Sequence, residues 1–407
     1  MTARQRTVWT WSAVGFVVFA AIVGALVERA THRIAAGVES RFGYRPDPEG
    51  TREFLSELDR PTFAAAAGEA MAEAKGVDTF LYRHVQKAHQ SFYGLPWKCW
   101  DQGDHGSCVS FAFALGAYTG QSVDFVEGRM ARPPPQVATE PIYGGSRTAA
   151  RLPPIARNNG LDGSYGGAAA RWISGKCKDP TIGGILYRER YGDVDLSTYS
   201  IPRSIAWGRD GVPIALAREA NQHKAVSVAQ VSTWAELCAS IERGSPVVLC
   251  SNVGYGRADN TMPIRDADGF LPRGKSWGHA MLCWAVRHQK NGSPRDGGLI
   301  QNSWSDRWCR GPRWPDDQPD GSFWASRENI QAALDQGDCF AIGGVDGFKW
   351  RVLDNGNWFE PAPAPAEASE PAEISSETAP ADSQKIASFV KSTQSDDAIH
   401  SVYSLAP

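Results

Sequence analysis

Neither sign of charge dominates this chain. Lysine and arginine number 42 against 45 aspartate and glutamate, and the formal net charge of −3 gives no argument for nucleic acid or an anionic surface as a partner. Metal-ligand spacing is missing as well: no two of the eight cysteines stand at the separations a zinc site uses, so no metal or other cofactor is expected. No internal repeat is found, which sets aside a repeat architecture. The stretch Glu360 to Ser383 has no basic residue and almost no large apolar one. Built from Pro, Ala, Glu and Ser, it cannot bury enough surface to offset its ordering entropy and is expected to be disordered. Gln384 to Pro407 is read as more unstructured tail, with a short amphipathic partner-binding segment around Phe389 and Tyr403 as the alternative.

Charge is also absent from Val8 to Val27, 20 residues flanked by Arg4 and Arg6 on one side and Glu28 and Arg29 on the other. Such a run just spans a bilayer core of roughly 30 Å, with Trp9 and Trp11 near an interface. A cleaved signal peptide competes, because Ala13 to Val27 is a 15-residue apolar core, but no convincing cleavage site precedes Glu28. The expectation is an uncleaved membrane anchor over 1–27, a helical stalk or pro-like spacer over 28–91, one domain over 92–353 and a tail over 354–407. The 15 tryptophans suit a core-rich domain. Cys238, Cys250 and Cys283 lie in apolar runs and read as buried small hydrophobes. Cys99, Cys177, Cys309 and Cys339 sit in loop-like contexts and are the better disulfide candidates, their pairing left open.

The chemistry concentrates in three segments. In DQGDHGSCVSFAFALGA, Gln102 precedes Cys108 by six residues, and Cys108 opens an apolar helix-like run. A free thiol titrates near ~8.5 and is mostly protonated at neutral pH. A helix start favours negative charge there, and an imidazole can take the proton. His279 heads the strand-like WGHAMLCWAV, and Asn302 ends the strand-like LIQN after a turn-rich KNGSPRDGG. That pattern is a long-looped hairpin whose antiparallel geometry returns Asn302 to the end where His279 begins. Its amide oxygen can orient the imidazole, Trp304 can shield that bond from water, and Gln102 can donate to an oxyanion.

These motifs resemble the papain-like (C1-type) cysteine peptidases over about Tyr93 to Lys349. Gln102 to Cys108 is similar to the family's oxyanion glutamine and nucleophile, Gly278-His279-Ala280 to its histidine region, and Asn302-Ser303-Trp304 to its asparagine motif. The resemblance implies an α+β, two-lobed fold, a helical lobe and a sheet lobe meeting at a cleft with Cys108 on one wall and His279 on the other. It also implies a Cys108–His279–Asn302 mechanism and a peptide or protein substrate. Asp162 to Gly167 resembles the paired-glycine segment that holds substrate backbone, so Gly166 and Gly167 are candidate backbone contacts. By the same resemblance Ala168, Ala169 and Ala280 line the main specificity pocket, and Gly183 to Tyr187 is strand-like.

Departures from the pattern mark a divergent member. His105 stands where the family has a disulfide-forming cysteine, so that bridge is expected to be absent, and Val109 replaces the usual aromatic. The Cys108 to His279 separation of 171 residues exceeds the ~130–150 typical of the family, which predicts insertions around Val123–Pro141 and Gly256–Lys275. Family members often carry an inhibitory helical propeptide, which makes an inhibitory contact from the 28–91 region a candidate feature, with a plain helical spacer as the alternative. The expected activity is that of a membrane-tethered cysteine endopeptidase with its catalytic domain outside the cytoplasm. A catalytically idle scaffold, or another acyl transfer such as amide transfer or cell-wall peptide cleavage, stands as the alternative.

Overall fold

A computed structural model describes residues 41–68, 73–148, 162–225, 227–256, 262–344 and 353. The expected anchor over 1–27 and the expected tail over 354–407 lie outside these residues. Among the described residues no helix is long and apolar enough to cross a membrane.

The first helices begin on side-chain caps. Asp47 accepts from Gly50 N–H ahead of α1 (Pro48–Ser56), and Thr62 from Ala65 N–H ahead of α2 (Phe63–Ala67), each satisfying a donor the helix itself cannot. A short strand β1 (Thr79–Phe80) leads into α3 (Tyr82–Tyr93), which stops at the left-handed Gly94. The long α4 (Cys108–Val126) is buried on all sides from Cys108 through Asp124, the mark of a helix run through a core. Against it pack α5 (Thr139–Thr148) and α6 (Gly166–Ile173); a ribbon of β2 (Arg190–Tyr191) and β3 (Val194–Asp195), α7 (Ile201–Asp210), which packs on α5, and α8 (Ile214–Ala220) complete this part of the chain. The helix-like run that Cys108 opens therefore continues to Val126.

The second lobe is an antiparallel sheet. It comprises β4 (Val228–Gln230), β5 (Val247–Ser251), β6 (His279–Arg287), β7 (Gly297–Gln301), β8 (Ser322–Ser326) and β9 (Cys339–Ile342) in the order β4-β9-β5-β6-β7-β8. Helix α9 (Trp234–Glu242), started by a Thr233–Glu236 capping box, and α10 (Arg327–Leu334) pack against it. All nine residues of the central β6 are buried, and α4 crosses it. On one edge β6 pairs with β7; on the other, β5 covers His279–Cys283 and β1 covers Ala285 and Val286. A bulge at Trp284 turns that carbonyl to accept from Leu81 N–H at 2.9 Å.

Three expectations change. The described part of 28–91 is no free-standing spacer: β1 joins the sheet, and Phe54, Phe63, Leu81, Tyr82 and Val85 enter the core of the main body. Their apolar faces find partners far along the chain, which local periodicity does not show. Gly183 to Tyr187 forms no strand: Gly183 and Gly184 take positive φ values of 90° and 132°, and only Tyr187 forms a bridge, with Val137. All eight cysteines are free thiols. The four disulfide candidates each face a carbonyl instead of a second sulphur, Cys99 on Asn302, Cys177 on Arg171, Cys309 on Arg310 and Cys339 on Ala333.

Candidate active site

Ser107 caps α4 without a side-chain hydrogen bond, so the first N–H groups of the helix stay available. Two of them, on Cys108 and Val109, face the Cys108 sulphur together with the N–H groups of Ala280 and Gly43, and all four favour its charged form. Ala280 is the residue after His279, so the nucleophile lies against the very end of β6 that carries the histidine. The β6–β7 register then closes the other side: Leu282 stands opposite Gln301, and one residue further Asn302 reaches back to His279. The His279 Nε2–Asn302 Oδ1 distance is 2.8 Å. Asn302 Oδ1 also accepts the Ser303 N–H at 2.7 Å, which fixes the amide with its oxygen toward the ring. His279 Nε2 must therefore donate, and Nδ1 is left without a hydrogen-bond partner. Trp304 lies over the imidazole, ring centroids 4.4 Å apart.

Gln102 is held at both ends of its amide. Its Oε1 accepts from Ser303 Oγ at 2.6 Å, while Nε2 donates to the carbonyls of His105 at 2.7 Å and Arg41 at 2.9 Å. The second of these partners introduces the feature that dominates the site.

Residues 41–45 run across it like a strap. The Arg41 carbonyl sits on the Gln102 donor, and the half-buried Phe42 ring packs on Trp277, Trp304 and His279 at 5.3, 5.4 and 6.1 Å. Gly43 C=O accepts from Ser164 N–H at 2.8 Å, Arg45 N–H donates to Ser164 C=O at 2.8 Å, and Tyr44 N–H donates to Gly278 C=O at 3.1 Å. Only glycine fits at 43, since a Cβ there would meet the Gly106 carbonyl oxygen at 1.9 Å. Beyond the strap, Thr51 donates to the buried Asp338 at 2.9 Å, and Tyr44 adds a side-chain hydrogen bond to the same carboxylate.

Covered in this way, the site is dry. Cys108 is 0% exposed and His279 1%. Burial pushes the Cys108 thiol up to about 11 despite the four N–H groups, and burial pulls His279 down to about 4 against the raising effect of Asn302. Both are neutral at pH 7, so the thiolate expected at a helix start does not form while the strap is seated. Burial likewise pushes Asp338 up to about 7, opposed by its hydrogen bonds from Gly166, Thr51, Gly167 and Tyr44.

Gln102, Cys108, His279, Asn302 and Trp304 thus converge on one buried site. The other candidates fall differently. Gly166 and Gly167 give their N–H groups to Asp338 at 2.7 and 2.8 Å, as the start of α6. It is Ser164 that exchanges backbone bonds with the chain in the cleft. Ala168 and Ala169 are buried within α6, and Ala280 pairs with Cys250 beside the nucleophile. A cavity of about 210 Å³ at the foot of the strap is lined by Tyr44, Thr51, Gln230, Gln336 and Asp338, while Ala280 lines a smaller pocket with Phe111, Leu115 and Asn302. Sequence reasoning missed Ser164, Ser303, Asp338 and Gly43. The Phe-Gly-Tyr run of the strap is the available signal, a glycine between two aromatics within the segment expected to be a spacer.

Neither protein-family models nor curated proteins give a match to this chain. Among solved structures it is similar to xylellain, a cysteine protease from Xylella fastidiosa, at 18% identity over 75% of this chain and 97% of that one, with a TM-score of 0.47. It is also similar to procathepsin B S9 from Trypanosoma congolense (12% identity, 75% and 88% covered, TM-score 0.44) and to digestive procathepsin L 3 of Tenebrio molitor larval midgut (14%, 80% and 90%, 0.39). At these scores the chemistry has to be argued from the site itself.

Proposed function

We propose that this chain is a cysteine endopeptidase held latent by its own residues 41–45. The observation that carries the reading is the His279–Asn302 bond of 2.8 Å, which leaves Nδ1 as the one unpartnered imidazole nitrogen at the strand end facing Cys108. Once the strap leaves, water reaches the site, and the Cys108 proton passes to His279 Nδ1. The thiolate, steadied by the N–H groups at the start of α4, attacks the peptide carbonyl carbon, and the carbonyl electron pair moves onto oxygen. That oxyanion takes the Cys108 N–H and the Gln102 Nε2–H that Arg41 vacates. His279 Nδ1–H protonates the departing amine, then accepts a proton from the water that hydrolyses the thioester.

The strap sets the Arg41 carbonyl on the Gln102 donor and the Gly43 N–H on the Cys108 sulphur, which supports latency as part of the same reading. A membrane tether is supported by the uncharged run Val8–Val27, and a location outside the cytoplasm follows from placing a peptidase away from cytoplasmic proteins. The test uses the full-length chain carrying Gly43→Ala, to displace the strap, with and without Cys108→Ala. Cleavage of a peptide library that depends on Cys108 supports the proposal; full activity retained without that thiol refutes it.

A further inference from the structure

His105 stands three residues before the nucleophile and takes no part in the reaction above. Its ring is nonetheless buried, 1% exposed, with Nδ1 2.9 Å from Asp162 Oδ2 and the Tyr143 ring edge-on at 4.7 Å. The same carboxylate oxygen accepts the Gly106 N–H at 3.3 Å, and Oδ1 accepts the Tyr143 hydroxyl at 3.3 Å. Tyr143 Oη in turn accepts the Gly163 N–H at 3.2 Å. One carboxylate therefore ties the nucleophile loop to the segment that leads into Ser164, 57 residues apart in sequence at the His105 bond.

The His105 backbone carries the connection onward. Its carbonyl accepts both from Gln102 Nε2 at 2.7 Å and from Ser107 N–H at 2.8 Å. Where the ring is pinned, the direction of that carbonyl is set, and the carbonyl fixes the amide meant for the oxyanion. The loop has a second support in Tyr199, whose hydroxyl lies 3.3 Å from the Gln102 carbonyl and 3.1 Å from Ser107 Oγ. Loss of the first support leaves the loop attached but free to move.

We infer that His105 and Asp162 form a positioning pair, through which the oxyanion donor Gln102 and the cleft-wall residue Ser164 share one support. This rests on the peptidase reading for its kinetic consequence and not for its geometry. Neither residue is assigned a step in the chemistry. A misaligned donor acts on the transition state, so the pair is felt in kcat more than in KM.

The test compares His105→Ala, Asp162→Ala, their double variant and Asp162→Asn in the full-length Gly43→Ala chain. Two readouts are taken: peptide turnover, and hydrogen exchange of the Gln102 side-chain amide by NMR with ¹⁵N-labelled glutamine, Gln102→Ala marking the resonance. Each alanine variant is expected to lose about tenfold in kcat with KM within about twofold, and the double variant to lose no more than a single one, as members of one unit do. Gln102 amide protection falls by about tenfold in all three. Asp162→Asn keeps an oxygen for His105 Nδ1–H and restores most of both. If the alanine variants do not fold, Tyr143→Phe removes one hydroxyl from the same carboxylate and is expected to lower kcat and protection by about threefold. Folded variants with unchanged kcat and Gln102 protection, or losses that multiply in the double variant, overturn the proposal. A chain without turnover in any form counts against the peptidase reading alone, and the amide exchange still decides the pair.

Discussion

Replacing Gly43 by alanine should open the cleft without altering any group that does chemistry. Four N–H···O hydrogen bonds to or from the backbone of residues 41–45 hold the strap across the site, from Gln102 to Arg41, Ser164 to Gly43, Tyr44 to Gly278 and Arg45 to Ser164. At about 1 kcal/mol each they contribute roughly 4 kcal/mol net, to which the half-buried Phe42 adds. An alanine Cβ would stand 1.9 Å from the Gly106 carbonyl oxygen and 2.3 Å from its carbon. These are backbone atoms of the nucleophile loop, so no side chain can turn aside, and the overlap should cost the ~3 kcal/mol at the upper end of overpacking effects. Since ~1.4 kcal/mol is a factor of ten, the open fraction should rise about 100-fold. Iodoacetamide labelling of Cys108 in the full-length chain, followed by peptide mapping to separate it from the other seven cysteines, measures this directly. A folded Gly43→Ala chain that labels Cys108 at the wild-type rate would refute the claim that the strap covers the site.

Other expectations follow from the same geometry. Asn302→Ala frees His279 Nε2 and should lower kcat by about 10- to 100-fold while the fold persists, checked by steady-state kinetics in the opened chain. Asp338→Asn sets an amide N–H against the N–H of Gly166 or Gly167 and should cost about 1–3 kcal/mol, read as a lowered thermal midpoint. That variant also separates two opposed titrations. His279, lowered to about 4, stabilises the closed form above its ordinary value of 6.5 and withdraws that stability as pH falls. Asp338, raised to about 7, works the other way, its closed-form advantage growing as pH falls through the same window. Cys108 labelling relative to a fully opened chain should thus change little between pH 6.5 and 4 in the native chain and climb on acidification in Asp338→Asn. An equal pH response in the two chains would count against this balance.

Much of the site could be read from local chemistry. Cys108 at the head of an apolar run, and a turn-rich loop between two strand-like runs, suffice to place a thiol at a helix start and His279 beside Asn302. What stayed hidden depends on contacts between distant segments. Asp338 meets Gly166 and Thr51 across 172 and 287 residues, and nothing around a lone aspartate before an apolar strand announces such partners. Arg41 to Arg45 passes for part of a spacer because its strand-like pairing is made with Ser164 and Gly278 and with nothing nearby. Helix α5 contains Pro141 and two glycines, and its buried Glu140 is held by Arg188 and Arg203 at 2.7 and 2.8 Å and by the Ser200 N–H at 3.0 Å. The loop-like cysteines misled for a related reason: turn composition does not show what a thiol packs against, and Cys339 opens strand β9 instead of lying in a loop.

The central claim is that the cleft beneath residues 41–45 cuts peptide bonds with Cys108. It is tested most directly by mass-spectrometric profiling of a peptide library with the full-length Gly43→Ala chain, alone and with Cys108→Ala. The account predicts cleavage products from the first chain and none from the second. Products that persist without Cys108, or none from an opened chain whose Cys108 labels readily, would contradict it.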